Sequence, residues 1–150
     1  MKTIKLRFAL KVGASALLLA FGAQQAVAHK EAHDSATLQA FETAFMEQVV
    51  LGDNLFHGDP DAEKKMGVTL SKTGMACAMC HPFSSDVHPH EFPKFQEQMS
   101  EFATLRDMIN WCIEKPNEGI KLAEDSDAMK ALEAYIYWSN RGSKLDAGRH

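Results

Sequence analysis

The sequence has little of the patterning that predicts β-structure, because alternating runs of β-branched and polar residues are few. It also has no internal repeat, no low-complexity tract and no long linker. These absences argue against repeat architectures, disordered chains and β-sandwiches or barrels. The 150 residues suffice for one small domain rather than two. We therefore expect a single, mainly helical domain.

The chain lacks an apolar run of the roughly 20 residues that a helix needs to span a bilayer. Its longest apolar stretch, Val12 to Ala23, is preceded by four basic and no acidic residues and is followed by Ala26-Val27-Ala28, a pattern typical of signal peptidase sites. We predict a cleavable signal peptide over 1–28, a mature domain over 29–150, a periplasmic location and no stable membrane insertion after cleavage. An uncleaved N-terminal anchor is the alternative.

Basic charge is scarce, with 16 Lys and Arg against 20 Asp and Glu, and a net charge of −4. Removal of residues 1–28 would make the charge −8, because this segment holds only basic charges. An acidic protein is a poor match for nucleic acid. The charge fits docking to partners with a basic face, or simply a well-solvated surface.

Three segments have the apolar spacing of amphipathic helices. The first begins near Asp34 or Ser35, the second begins at the capping box Thr104–Asp107 and stops before Pro116, and the third begins near Ser126 and ends by Gly142. Their apolar stripes are Leu38, Phe41, Phe45, Val49 and Phe56; Leu105, Met108, Ile109 and Cys112; and Met129, Leu132, Tyr135 and Ile136.

Gly52 continues the first stripe without a side chain, which would let another helix approach closely. We expect the first and last helices to cross near Gly52 and Tyr135, with Phe45, Phe56 and Trp138 packed around the crossing. The predicted fold is all-α, with three to four helices. The segment from Gly58 to about Phe102 reads as irregular, and a loop of that length in a compact domain must be organised around something.

Three cysteines are present, and two of them lie in Cys77-Ala78-Met79-Cys80-His81, a C-x-x-C-H motif. This motif attaches c-type haem through two thioethers, and the adjacent histidine coordinates the iron. We predict one covalent haem c, bound by Cys77 and Cys80, with its iron on His81. Three alternatives compete with haem. A thioredoxin-like pair would need a surrounding βαβ pattern and a zinc site would need a second C-x-x-C, and the sequence has neither. A structural disulfide is the third alternative.

The other side of the iron can hold Met, His, Cys or nothing. Met108 and Cys112 share one face of the second helix, so they could exchange but could not bind one iron site together. Met99 precedes that helix and is nearly as good a candidate as Met108. Met129 fits the core stripe of the third helix, and His88 and His90 fit a solvated loop.

The stretch from Gly74 to Gly142 resembles the haem domain of thiosulfate dehydrogenases and of the haem subunit of the Sox sulfur-oxidation complex. The matching residues are Gly74 through His81, Phe92 through Phe95, Ile109 through Cys112, and Asp125, Ser126, Met129, Ala131, Ala134, Tyr135 and Trp138. The resemblance implies a small, type I-like cytochrome c fold with Cys112 as the distal iron ligand. This sequence departs from both families. It has one haem motif, whereas thiosulfate dehydrogenases usually have two, and it has Ile113 where the Sox subunit usually has a basic residue.

These features support three functional hypotheses. The first is transfer of single electrons to redox partner proteins, for which the haem and its protein ligands are sufficient. A second is a haem subunit of a thiosulfate-type oxidoreductase that uses Cys112 at the iron, with Lys94, Lys115 and Arg106 as possible cations for a sulfur anion. A third is gas binding at a labile distal site. The sequence favours the electron carrier and leaves enzymatic activity open.

Overall fold

The computed structural model describes residues 33–84 and 87–143. Five α-helices account for most of the regular structure: α1 Ser35–Phe56, α2 Pro60–Met66, α3 Cys77–Cys80, α4 Leu105–Glu114 and α5 Asp127–Ser139. Two 3₁₀ turns lie at Pro82–Ser84 and Pro89–Glu91, and β1 Lys94–Gln96 pairs antiparallel with β2 Glu101–Ala103. The predominance of helix confirms the predicted all-α class, and two short helices accompany the three that the sequence predicts.

From Ala36 onward the described residues belong to one compact unit. The predicted signal peptide, residues 1–28, lies outside the described residues. Within the described ranges, no helix combines the length and apolar character that crossing a membrane requires.

Side chains close the N-termini of α4 and α5 as the sequence predicts. Thr104 accepts from the Asp107 backbone N–H, and the Asp107 carboxylate accepts from the Thr104 backbone N–H at 2.8 Å. Ser126 accepts from the Met129 N–H at 3.2 Å. The capping box and the serine cap satisfy N–H groups that have no partner inside their helices, so the two helices begin where predicted. Helix α5 ends at Ser139, three residues before Gly142.

Helices α1 and α5 cross at Gly52, as predicted. A β-carbon at Gly52 would overlap the backbone of Ala131 and lie 2.8 Å from the Tyr135 Cβ, so only glycine permits this approach. The Phe56 and Tyr135 rings pack beside the crossing with centroids 5.2 Å apart. The core continues from there through Val49, Leu55, Leu70, Leu105, Ile113, Leu122, Met129, Leu132 and Ile136.

The expectation that Phe45 packs at this crossing is wrong, because Phe45 is 45% exposed. Phe41 and Leu38, one and two turns earlier on the same stripe, are also exposed. Helix α1 has 22 residues and α5 has 13, so α1 extends well beyond the helix that it crosses. An apolar stripe shows which face of a helix can be buried, but not how far along the helix a partner reaches.

The region from 58 to 102 is more regular than predicted, since it contains α2, α3, the 3₁₀ turns and one hairpin strand. Helix α2 has a complete set of local signals. Asp59 caps its start and accepts from the Asp61 N–H at 2.9 Å, Pro60 occupies the first turn, and Gly67 ends it with a φ of 65°. The helix escapes detection because it has only seven residues and buries one of them, Ala62, so it produces no apolar stripe.

The loop after α4 lies against the chain that leads into α3. Ile120 donates its N–H to the Thr69 carbonyl at 2.8 Å, and Lys72 donates to the Asn117 carbonyl at 2.8 Å. Between them Gly119 comes so close to Leu70 that a β-carbon would overlap the Leu70 carbonyl group. These backbone contacts join the loop that follows α4 to the segment that precedes α3.

Candidate haem site

Helix α3 is a single turn that places its two cysteines for one ligand. The His81 N–H donates to the Cys77 carbonyl at 2.9 Å, which closes the turn and brings His81 directly after Cys80. Residues three apart on a helix lie on the same side, so Cys77 and Cys80 can address one edge of a flat group. Cys77 is partly buried and Cys80 is exposed.

Side chains from three further helices meet Cys77 and His81 in an apolar cleft. Helix α4 contributes both of its inward-facing sulfur residues, Met108 and Cys112. The remaining lining residues are aliphatic or aromatic and come from α1, α4, α5 and the loop after α3: Phe56, Val87, Leu105, Ile109, Leu132 and Ile136. The structure therefore brings three of the four predicted haem ligands, Cys77, His81 and Cys112, to one cleft, with Cys80 on the adjoining surface.

The thiols of this site are electrostatically coupled. Burial, reinforced by the nearby Cys112, raises the pKa of the Cys77 thiol to about 12. Burial, reinforced by Cys80, raises the pKa of Cys112 to about 11. No disulfide joins any of the three cysteines, which excludes the structural disulfide that the sequence left open. With an apolar lining, both buried thiols stay protonated at neutral pH unless a metal supplies the compensating positive charge.

This donor set fits haem c. Two thiols one helical turn apart suit the two vinyl groups of one porphyrin, and the following imidazole suits its iron. The apolar walls suit a large flat cofactor. Among the described residues, no three His, Cys, Asp or Glu side chains converge on a point that would hold a bare metal ion. Cys77, Cys80, His81 and Cys112 are the residues that would hold the haem, and covalent attachment remains a prediction.

The other predicted distal ligands lie in different places. Met108 shares the cleft with Cys112, whereas Met99 lines a separate polar cleft beside Asn110 and Lys115. Met129 is fully buried in the core, as its position in the third stripe predicts. His88 is exposed and lies 3.9 Å from Glu91, and His90 contacts the Asn140 carbonyl oxygen at 3.2 Å.

The three cations that the sequence offers for a sulfur anion each lie near a carboxylate and outside the cleft that holds Cys112. Lys94 pairs with the buried Glu91 at 2.6 Å, and Arg106 pairs with Glu133 at 2.7 Å. Lys115 lies 3.5 Å from Glu114. No lysine or arginine of the described residues lines the cleft that holds Cys112.

Sequence reasoning assigned no structural role to Asn110. Its side chain makes two hydrogen bonds to the backbone of Leu122, 12 residues further along the chain. The sequence contains no local signal for this contact, because it depends on how the loop after α4 folds back.

Known proteins with similar sequences include a cytochrome c domain family and a thiosulfate dehydrogenase. The family described as SoxA/TsdA, cytochrome c domain, matches residues 63–145. A relative named thiosulfate dehydrogenase, from Allochromatium vinosum, is 28% identical over 149 residues, an alignment that covers 89% of this chain and 54% of the relative. The chain thus spans about half the length of the curated relative that it matches.

The family match includes α3, the hairpin, α4 and α5, and so contains Cys77, Cys80, His81 and Cys112. A cytochrome c domain implies haem c, a role in haem-based electron transfer and redox partners. Since the match covers more than half of the chain and contains all four of these residues, the chain belongs to the SoxA/TsdA cytochrome c domain family.

Proposed function

We propose that this protein is a periplasmic, single-haem cytochrome that carries single electrons between redox partners. One haem c is attached through Cys77 and Cys80, and its iron is held by His81 on one side and Cys112 on the other. The alternative distal ligand is Met108. Export through the signal peptide over 1–28 places the protein in the compartment where c-type haem is found in bacteria.

One observation supports this function above the others: among the described residues, those that line the cleft with Cys112 have apolar or sulfur-containing side chains, apart from His81. Binding and turnover of a sulfur oxyanion needs positive charge close to the reacting atoms. Lys94, Arg106 and Lys115 are each paired with a carboxylate outside the cleft. An iron closed off on both sides by protein ligands needs no such charge to exchange electrons.

The haem supplies the one-electron chemistry when bound, and the chain determines its properties. Leu105, Ile109 and Leu132 give the cleft an apolar lining, which water solvates poorly. A dry site disfavours net charge, and a thiolate from Cys112 compensates the positive charge of ferric iron, so thiolate ligation lowers the reduction potential relative to methionine ligation. The net negative charge favours encounter with a partner that has a basic docking face.

The test is to express the full chain in a bacterium that matures c-type cytochromes and to purify the periplasmic product. We expect a mass equal to residues 29–150 plus one haem, haem that survives denaturing electrophoresis, and loss of that haem in Cys77→Ser/Cys80→Ser. Stopped-flow mixing of the reduced protein with a basic mitochondrial-type cytochrome c should show second-order electron transfer that slows as salt rises. Failure to retain covalent haem in the unmodified chain would overturn the proposal.

A second function, oxidation of thiosulfate or a related sulfur compound, is favoured by the thiosulfate dehydrogenase relative. It requires Cys112 at the iron and a source of positive charge that the described part of the cleft does not supply. Thiosulfate-dependent reduction of ferricyanide by the purified holoprotein distinguishes the two functions. Turnover that disappears in Cys112→Ala would make the protein an enzyme, whereas no turnover together with rapid electron exchange supports the carrier.

A further inference from the structure

The side chain of Asn110 binds both backbone polar groups of one residue in another segment. Its Nδ2 donates to the Leu122 carbonyl at 2.9 Å, and its Oδ1 accepts from the Leu122 N–H at 2.8 Å. Leu122 is itself buried in the core. A side chain that both donates to and accepts from one residue tolerates little rotation, because any roll of α4 lengthens one of the two bonds.

This contact lies across α4 from the cleft. Asn110 is two residues from both Met108 and Cys112, so it points about 200° away from each of them around the helix. Arg106, one turn before Asn110, anchors the same side by donating to the Glu124 carbonyl at 2.9 Å and to the Glu133 carboxylate at 2.7 Å. The rotation of α4 about its own axis is therefore set on the side that does not touch the cleft.

The segment held by Asn110 also leads to the opposite wall. The loop between α4 and Leu122 bonds to the chain just before α3 through Ile120 to Thr69 and Lys72 to Asn117. Ser71 and Glu118 form an isolated antiparallel bridge in the same place. Asn110 thus ties α4, which carries Cys112, to a loop that is fixed against the segment leading to Cys77 and His81.

Two sulfur ligands compete on α4. Met108 and Cys112 are four residues apart, lie on one face and line the same cleft as His81. The long, flexible Met108 side chain can reach much of the cleft, whereas the short Cys112 side chain reaches only where the backbone of α4 carries it. A small rotation of α4 therefore affects Cys112 more than Met108.

We propose that Asn110 is a positioning residue that selects Cys112 over Met108 as the distal iron ligand. The inference rests on the proposed function, since it requires haem in the cleft. Asn110 touches neither the cleft nor its ligands; it acts by fixing the rotation of α4 through Leu122. Loss of the two hydrogen bonds frees α4 to turn, which weakens the presentation of Cys112 and allows the thioether of Met108 to take its place.

The experiment compares the oxidised holoprotein with Asn110→Leu, which has the same branching at Cγ and makes neither hydrogen bond. Low-temperature EPR and near-infrared magnetic circular dichroism distinguish thiolate-ligated from methionine-ligated ferric haem. We expect a thiolate signature in the unmodified protein and, in Asn110→Leu, a rise of roughly tenfold or more in the ratio of methionine-ligated to thiolate-ligated haem, as expected for two lost hydrogen bonds. The methionine signature should disappear in Asn110→Leu/Met108→Leu.

Two further variants separate ligand selection from simple destabilisation. Ser126→Ala removes the cap of α5 and should lower stability without changing the ligand signature. Asn110→Asp keeps the acceptor for the Leu122 N–H and should give an intermediate ratio, which provides a second test if Asn110→Leu does not accumulate.

Several outcomes would overturn the inference. An unchanged ligand ratio in both Asn110 variants would make Asn110 a structural residue only, and a methionine signature in the unmodified protein would remove the selection. A mixture that persists in the double variant would show that Met108 is not the competitor. Absence of covalent haem from the unmodified chain would instead overturn the proposed function itself, so the two failures are distinguishable.

Discussion

Gly52 on α1 lies so close to Ala131 on α5 that a β-carbon at position 52 would overlap the Ala131 carbonyl oxygen. The contact is between two helix backbones, so no flexible side chain can move aside to make room. It sets the approach of the two helices whose side chains Phe56, Leu132 and Ile136 form one side of the haem cleft.

Substitution Gly52→Ala should therefore destabilise the holoprotein by about 3 kcal/mol or more, at the upper end of the range for overpacked sites. The midpoint and slope of urea unfolding, followed by circular dichroism, measure this loss. Ala44→Ser, on the exposed part of the same helix, is the control and should change stability by about 0.5 kcal/mol or less. A Gly52→Ala protein as stable as the unmodified one would show that α1 and α5 do not cross here.

The two phenylalanines of α1 should respond very differently to truncation. Phe56 is 2% exposed, so Phe56→Ala should cost about 3–5 kcal/mol. Phe45, on the same stripe but exposed, should lose about 1 kcal/mol or less as Phe45→Ala, in line with other surface sites. Thermal and urea unfolding of both variants test this difference, and equal losses would mean that the first half of α1 is packed against protein after all.

The ion pair between Lys94 and Glu91 is the most deeply buried pair with a lysine among the described residues, and its Nζ–Oε2 distance is 2.6 Å. Lys94→Met removes the cation closest to a carboxylate that is only 5% exposed, and should cost about 3 kcal/mol at neutral pH. Adding Glu91→Gln to that variant should recover part of the loss, because the charge of the buried carboxylate is then removed.

The control for Lys94 is Lys130, which lies 3.4 Å from the exposed Asp127. Lys130→Met should change stability by about 0.5 kcal/mol or less, as solvent-exposed pairs do. If Lys94→Met were equally harmless, Lys94 would be available to serve as a cation for an anionic substrate, which would strengthen the sulfur-oxidising alternative.

The capping box of α4 should make part of the stability pH-dependent. Two hydrogen bonds lower the pKa of Asp107 below its ordinary 3.8: the one from the Thr104 hydroxyl has the larger effect, and the one from the Thr104 backbone N–H adds to it. A carboxylate with a lowered folded-state pKa contributes stability above pH 3.8 and loses it as the pH falls through the folded-state value.

Asp107→Asn should therefore cost about 1 kcal/mol at pH 7, as lost caps typically do, and the difference from the unmodified protein should shrink below pH 3.8. Urea unfolding between pH 7 and pH 3 measures it. Asp127→Asn, a first-turn carboxylate on α5 that is 78% exposed, is the matched control and should show a much smaller effect. A constant difference at every pH would rule out the carboxylate as the source of the stabilisation.

The features that the sequence predicts correctly are those carried by neighbouring residues. The cap residues Thr104, Asp107 and Ser126 bond to N–H groups three positions away, so their spacing alone locates the starts of α4 and α5. The spacing of Cys77, Cys80 and His81 is equally local and suits a single porphyrin, and their role as haem ligands stays a prediction. Gly52 is an exception, because the residue that it contacts, Ala131, is distant along the chain. Even so, a glycine within an apolar stripe indicates by itself that another helix approaches closely.

Other features depend on which surfaces meet, and no local pattern records this. Phe45 and Phe56 follow the same spacing, yet only Phe56 meets another helix. Lys94, Arg106 and Lys115 read as available cations until the structure pairs each with a carboxylate, of which Glu133 lies 27 residues from its partner. Asn110 reaches Leu122 only because the loop after α4 folds back over it.

By itself, then, the sequence determined the helical class and the starts of the three longest helices, and it predicted the three residues of the haem motif, because short-range hydrogen bonding and side-chain spacing act within a few residues. Tertiary structure alone decided that Met108 and Cys112 line one apolar cleft together with His81, whereas Met99 lines a different cleft. The rotation of α4 about its axis decides that arrangement, and it is set by contacts between segments that are distant along the chain.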